Sequence, residues 1–214
     1  SGCYIDLSDV PATVDKQSFF FGEWERPANR FRASLNDFSD VPGKPLAYAL
    51  SDGIISAYHR QEYISTFLFS DGLTKTGDNE RFLRFHWEIS KNKRDDNNCF
   101  RTCIKGGESR KHFGNTDVSV DWHPASRDHY RKDHVARISP EYLWDRDGIT
   151  WTKVSSKGPT FRWFQSGMIA ETGGPSVFLR DGVKDTFKFG AIGFLNSKVS
   201  MEILERLSPT INVQ

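Results

Sequence analysis

Apolar and polar side chains alternate through Phe82-Leu83-Arg84-Phe85-His86-Trp87-Glu88-Ile89, a pattern that predicts a strand rich in aromatics. Val118-Ser119-Val120-Asp121-Trp122 and Thr160-Phe161-Arg162-Trp163-Phe164 read the same way, and Cys3 to Leu7 predicts a short strand near the start. Elsewhere the period is helical. Leu46, Ala49, Leu50, Ile54, Ala57 and Tyr58 predict a helix near 45–60, although Gly53 weakens it, and Pro42-Gly43-Lys44-Pro45 breaks the chain before it. Phe194, Leu195, Val199, Ile203, Leu204 and Leu207 predict a long C-terminal helix near 190–207, stopped at Ser208-Pro209 and carrying Glu202 and Arg206 as an i,i+4 pair. Pro11 to Asn29 fits neither period. The expected class is α+β, with a mixed, largely antiparallel aromatic-rich sheet and these two helices in a single domain over residues 1–214.

Composition narrows the class of function. The 214 residues are 37% hydrophobic, 27% charged and 14% aromatic, which suits a folded chain with a polar surface and excludes disordered and collagen-like classes. No apolar run approaches the length of a membrane span, Ser1-Gly2-Cys3-Tyr4 has no basic region followed by the apolar run of a signal peptide, and Met occurs only at 168 and 201. The expectation is a cytoplasmic protein without membrane partners, and a piece of something larger. The net charge of +1 hides an uneven distribution, because residues 91–137 carry 11 cationic and 7 anionic side chains. A basic surface is therefore local, and it falls among four of the six histidines. A solvated loop face accounts for such a run as readily as a binding site does.

Three cysteines at 3, 99 and 103 form no disulfide framework and read as ordinary buried thiols. Cys99-x3-Cys103 with His112 lacks a fourth ligand for zinc. Asp121, His123, Asp128, His129, Asp133 and His134 are dense enough to raise a metal site, but their spacing favours a polar loop. The chain has no Gly-x4-Gly-Lys-Ser/Thr, Gly-x-Ser-x-Gly or His-Glu-x2-His motif. Phe189-Gly190-Ala191-Ile192-Gly193 reads as helix-start packing, and Glu88-x2-Lys91 is too little for a nuclease. No metal and no catalytic residue is expected.

One set of motifs does carry a resemblance. Asp71-Gly72-Leu73-Thr74-Lys75-Thr76-Gly77-Asp78-Asn79-Glu80-Arg81-Phe82-Leu83-Arg84 resembles the G-L-x-T-G-D-N-x-R-F stretch of the BREX (phage-growth-limitation) adenine-specific DNA methyltransferases, with a looser form in single-chain type IIG restriction-modification enzymes. In the same order, Lys105 to Asn115 resembles K-G-G-E-x-R-K-W-Y-G-N and Val120-Asp121-Trp122 resembles V-x-N-W. Further on, Asp147 to Trp151 is similar to E-G-I-T-W, Gly193 to Val199 to G-F-L-N-S-K-V, and Pro209 to Gln214 to P-T-L-N-F-Q. His112 and Asp121 depart from the family's aromatic and Asn. The N-P-P-Y-type motif and the S-adenosylmethionine glycine motif of these enzymes are absent here. The resemblance therefore implies the target-recognition region that follows the catalytic domain. Such a fragment holds no cofactor and does not methylate, while the parent chain is an S-adenosylmethionine-dependent N6-adenine DNA methyltransferase of phage defence. The implied partners are double-stranded DNA, the methylase domain of the same chain and other defence-system subunits.

A sequence reader needs cations for phosphates and forked donors for base edges. Lys75, Thr76, Asn79, Arg81 and Arg84 flank the first glycine turn, which is either a groove-facing loop or a structural Asx-type turn. Lys105, Arg110 and Lys111 surround Gly106-Gly107 as a second cationic loop, and Lys153 and Arg162 lie on a third basic strip that runs on to Lys157. Lys75, Arg81, Lys105, Arg110 and Lys111 are expected on one DNA-facing surface. Arg81 is the candidate base reader, unless Asp78 or Glu88 pairs with it. Trp151 and Trp163 belong to the core. A protein-interaction scaffold that docks a partner subunit or an inhibitor is the alternative function.

Overall fold

The computed structural model describes residues 2–7, 10–25, 30–39, 41, 44, 48, 50–60, 63–155 and 158–207. The chain groups into two compact units, Ser1–Tyr63 and Ile64–Gln214.

In the first unit β1 (Gly2–Ile5) pairs antiparallel with β2 (Arg30–Ala33), with α1 (Lys16–Glu25) between them in sequence. Tyr4 and Tyr48 stack with ring centroids 4.9 Å apart, and Val10, Phe38, Val41 and Leu50 are buried. The helix expected near 45–60 is shorter. α2 runs Asp52–His59 from an extended Ser51 and buries no residue, so the helical period of its apolar positions does not reflect a packed stripe. Its expected beginning at 45–47 and most of the Pro42 break lie outside the described residues.

The second unit holds two four-stranded sheets. One has the order β3 (Leu68–Phe69), β10 (Ser176–Leu179), β7 (Gly148–Thr150), β8 (Arg162–Phe164), all antiparallel. The other has β4 (Leu83–Phe85), β6 (Val118–Asp121), β5 (Phe100–Ile104), β9 (Ile169–Ala170), antiparallel except for β5 with β9. The α+β class with mixed, largely antiparallel sheets is as expected, and aromatics fill its core. Trp122, Tyr130, Phe82 and Trp144 pack on one sheet, while Trp151, Phe161, Ala191 and Ile192 pack beneath the C-terminal helices.

Three expectations change. The strand over 82–89 keeps three residues, because Asp78 caps a helical turn, α3 (Asn79–Phe82), and the Glu88 carboxylate accepts the Phe85 N–H at 2.6 Å, which turns His86–Glu88 into a 3-10 coil. The histidine-rich stretch read as loop contains α5 (Pro124–Lys132), started by Pro124 and anchored by buried Tyr130, whose hydroxyl donates to the Asp121 carbonyl. The long terminal helix is two, α6 (Phe187–Leu195) and α7 (Lys198–Leu207). Asn196 separates them: its Nδ2 donates to the Ile192 and Phe161 carbonyls and its Oδ1 accepts the Phe161 N–H. That side chain satisfies the end of α6 and ties it to the strand edge. The Arg206 side chain, the Ser208-Pro209 stop and the Pro209 to Gln214 motif lie outside the described residues.

Candidate nucleic-acid interface

The motif from Asp71 to Arg84 is folded by its own side chains. Gly72 has φ +48°, and a Cβ there would stand 2.6 Å from Pro140 Cδ, so glycine is required. Thr74 is buried, bonds the Ser139 hydroxyl at 3.1 Å and extends β9 through Ala170 and Thr172. Thr76 is also buried and donates to Asn79 Oδ1 at 2.7 Å. Gly77 is left-handed at φ +78°, and Asp78 caps the next turn by accepting the Arg81 N–H at 3.0 Å. The turn is thus structural, which takes Thr76 out of solvent. Its cations differ in exposure, Lys75 and Arg84 being half-buried. Lys75 pairs through its backbone with Arg137, setting two cationic residues opposite each other. Arg81 is exposed, and its guanidinium lies 4.7 Å over the Phe82 ring. Among the described residues it forms no ion pair, so the expected internal partners Asp78 and Glu88 do not hold it.

Asn79, Arg84 and Lys105 meet in one cleft of about 550 Å³, shared with Glu80, Phe85 and Glu88. Arg84 turns its Nη1 back to the Glu80 and Leu83 carbonyls at 2.7 and 2.6 Å, so its fork is partly spent on the backbone. At the cleft, Phe85 stacks on Trp87 at 4.5 Å with an interplanar angle of 5°, and Trp87 is 73% exposed. The following α4 (Lys91–Arg94) presents Lys91, Lys93 and Arg94, all exposed. Sequence reasoning passed over this aromatic and cationic cluster, although the Lys-x-Lys-Arg run was its signal. His86 beneath it has a lowered pKa, chiefly from burial and then from Arg94, against a smaller opposing pull from Asp117.

The loop from Lys105 to Asn115 is bound onto β8. The His112 N–H donates to the Phe161 carbonyl and the Trp163 N–H to the His112 carbonyl, each at 2.9 Å. His112 and Asn115 take left-handed φ of +72° and +58°, and Asn115 Nδ2 closes the loop on the Glu108 carbonyl at 2.9 Å. A Cβ at Gly106 would meet the Gly173 carbonyl at 2.6 Å, which fixes glycine there. Arg110 is exposed and pairs with exposed Glu108 at 3.4 Å. Lys111 is exposed too, but its Nζ is engaged: it donates to the Asn196 carbonyl at 3.3 Å, at the negative end of α6. Lys153 is half-buried beside Gly173. Arg162 is only 1% exposed, so it presents no surface donor. The structure therefore gathers Asn79, Arg84 and Lys105 in a cleft and Lys105, Arg110 and Lys111 on an adjoining loop, with Lys157 outside the described residues.

The segment Phe189–Gly193 lies inside α6, where Gly190 and Gly193 have open space around them, so it is not a nucleotide cradle. Among the described residues no three His, Cys, Asp or Glu side chains converge for a metal. Cys103 is buried, and burial pushes its thiol up to about 12.

No family model matches the chain. Over 189 residues it is 29% identical to the adenine-specific methyltransferase BrxX of Escherichia coli O9:H4 (strain HS), an alignment covering 86% of this chain and 15% of that protein. Over 233 residues it is 28% identical to the adenine-specific methyltransferase PglX of Lacticaseibacillus casei (strain Zhang), covering 99% of this chain and 19% of that one. The chain is thus related to the BREX adenine-specific methyltransferases, as its ordered motifs imply. It spans less than a fifth of the length of these relatives.

Proposed function

We propose that this chain is the DNA-recognition region of a BREX-type adenine-specific methyltransferase, and that methyl transfer from S-adenosylmethionine takes place on other parts of a longer cytoplasmic protein. In this reading the 214 residues act as one recognition module and bind double-stranded DNA. One observation carries it: Lys105 joins the Asn79 and Arg84 cleft to the glycine loop of Arg110, so polar, cationic and glycine-rich surfaces are continuous within the second unit. The similarity to the two methyltransferases supports the context. Among the described residues no helix is long and apolar enough to cross a membrane. In the full-length protein, a fluorescence-anisotropy titration of duplex DNA against salt tests the reading. Lys105→Gln and Arg110→Gln should each flatten the log-log slope by about one unit and weaken all sequences alike. An unchanged slope in both rejects these residues as phosphate contacts.

The stacked Phe85 and Trp87 favour a second reading, in which this face docks the methylase domain or another defence subunit. Under it, Trp87→Ala weakens assembly and leaves the salt slope of DNA binding unchanged.

A further inference from the structure

The glycine loop covers an unusual charge. Arg162 on β8 is 1% exposed, yet among the described residues no carboxylate pairs with it. Among the described residues its guanidinium has only 3.4 Å contacts, to Thr152 Oγ1 and the Thr160 carbonyl, and its Nε has no partner. An unpaired buried cation is costly, and such groups are rare where nothing binds them. The same Thr152 hydroxyl donates to the Gly107 carbonyl at 3.2 Å, which places the guanidinium directly under the loop. Above it, Gly107, Glu108, Ser109 and Arg110 are exposed, and among the described residues their backbone N–H groups make no hydrogen bond. Burial, and then the charge of a second cation, Arg110, push the Arg162 pKa down. Glu108 is the one acid in the loop, and it is 81% exposed and only loosely paired with Arg110.

We propose that the loop 107–110 and Arg162 beneath it form a seat for a phosphodiester group of the DNA backbone. The free amides and the Arg110 fork meet the phosphate, which displaces Glu108. Arg162 supplies charge from below, where little water screens it, and acts as a positioning residue rather than a contact. This rests on the DNA-recognition reading for the source of the phosphate, while the anion site itself rests on the geometry alone.

The full-length protein and its Arg162→Met, Arg162→Lys and Glu108→Gln variants test it in two arms. In the first, quenched-flow hydrogen exchange over residues 105–115 is compared in inorganic phosphate and in chloride at equal ionic strength. Phosphate should slow exchange at 107–110 in the wild type and more so in Glu108→Gln, not at all in Arg162→Met, and partly in Arg162→Lys, which restores the charge. In the second arm, duplex DNA of arbitrary sequence should bind Arg162→Met about tenfold more weakly, with a shallower salt slope. Equal protection in wild type and Arg162→Met overturns the anion seat, whatever DNA does. Wild-type protection by phosphate with DNA affinity indifferent to Arg162 overturns the phosphodiester assignment and identifies a site for free phosphate. If the wild type binds no duplex, the recognition reading fails, and the first arm alone decides the seat.

Discussion

Among the described residues of the second unit two arginines are buried, and their surroundings differ. Arg101 on β5 is 9% exposed and tied on two of its nitrogens: Nε donates to the Asn97 carbonyl, while Nη1 donates to the Trp144 carbonyl at 2.9 Å and to Asp145 at 2.8 Å. Its guanidinium also lies within 6 Å of the Trp122 and Trp144 rings. Among the described residues Arg162 on β8 has no acid partner, no ring contact and no partner for its Nε. A desolvated charge that the fold itself satisfies is part of the scaffold. One that the fold leaves open, under a loop of unbonded amides, marks a place where something else completes it.

The largest effect should come from Arg101. Arg101→Met strips a strand of its link to Trp144 and Asp145, and chemical denaturation should show a loss of about 3 kcal/mol. Arg162→Met should instead stay within about 1 kcal/mol of the wild type, or exceed it, because a well-packed apolar side chain replaces an unpaired charge. A loss as large as that of Arg101 would erase the distinction between the two sites. Lys111 and Arg110 extend the comparison to the loop. Lys111→Met should cost about 0.5–1 kcal/mol by removing a cation from the end of α6, with no change in the salt slope of DNA binding. Arg110→Gln should do the reverse, leaving stability intact and flattening the slope.

The smallest effect belongs to His86, which meets burial by staying neutral. Among the described residues its Nε2 has no partner, and its pKa lies below the ordinary 6.5, first from burial and then from Arg94. The unfolded chain therefore takes up a proton at a higher pH than the folded one. The His86 contribution is complete above pH 6.5 and is lost as the pH falls through the folded pKa. Melting temperatures should drop between pH 7.5 and 5.5, and His86→Gln should lessen that drop.

Much of the second unit was legible in the residues, because Val118–Asp121 and Arg162–Phe164 pair where their aromatic and apolar runs predict. What was not legible was which side chain bonds to which backbone group, far along the chain or near. Asn196 ends α6 through a partner 35 residues away, and no local signal distinguishes it from a mid-helix asparagine. Glu88 resembles an exposed strand residue until its carboxylate is seen capping Phe85. The site shows the same limit. Lys105, Arg110, Asn79 and Arg84 could be picked by type, but depth could not: Arg162 and Thr76 are buried, and Lys111 is turned to a helix end. Trp87, Lys93 and Arg94 are not among the expected site residues and Lys91 is weighed only beside Glu88, because the alternating pattern places Trp87 on a strand, whereas the 3-10 turn exposes it.

The most direct test of target recognition is to exchange this 214-residue segment between two full-length BREX-type methyltransferases that modify different sequences, and to read the methylated adenines across the genome. The account predicts that the modified sequence follows the segment. A specificity that stays with the remainder of the enzyme, in a chimera that still methylates, would contradict it.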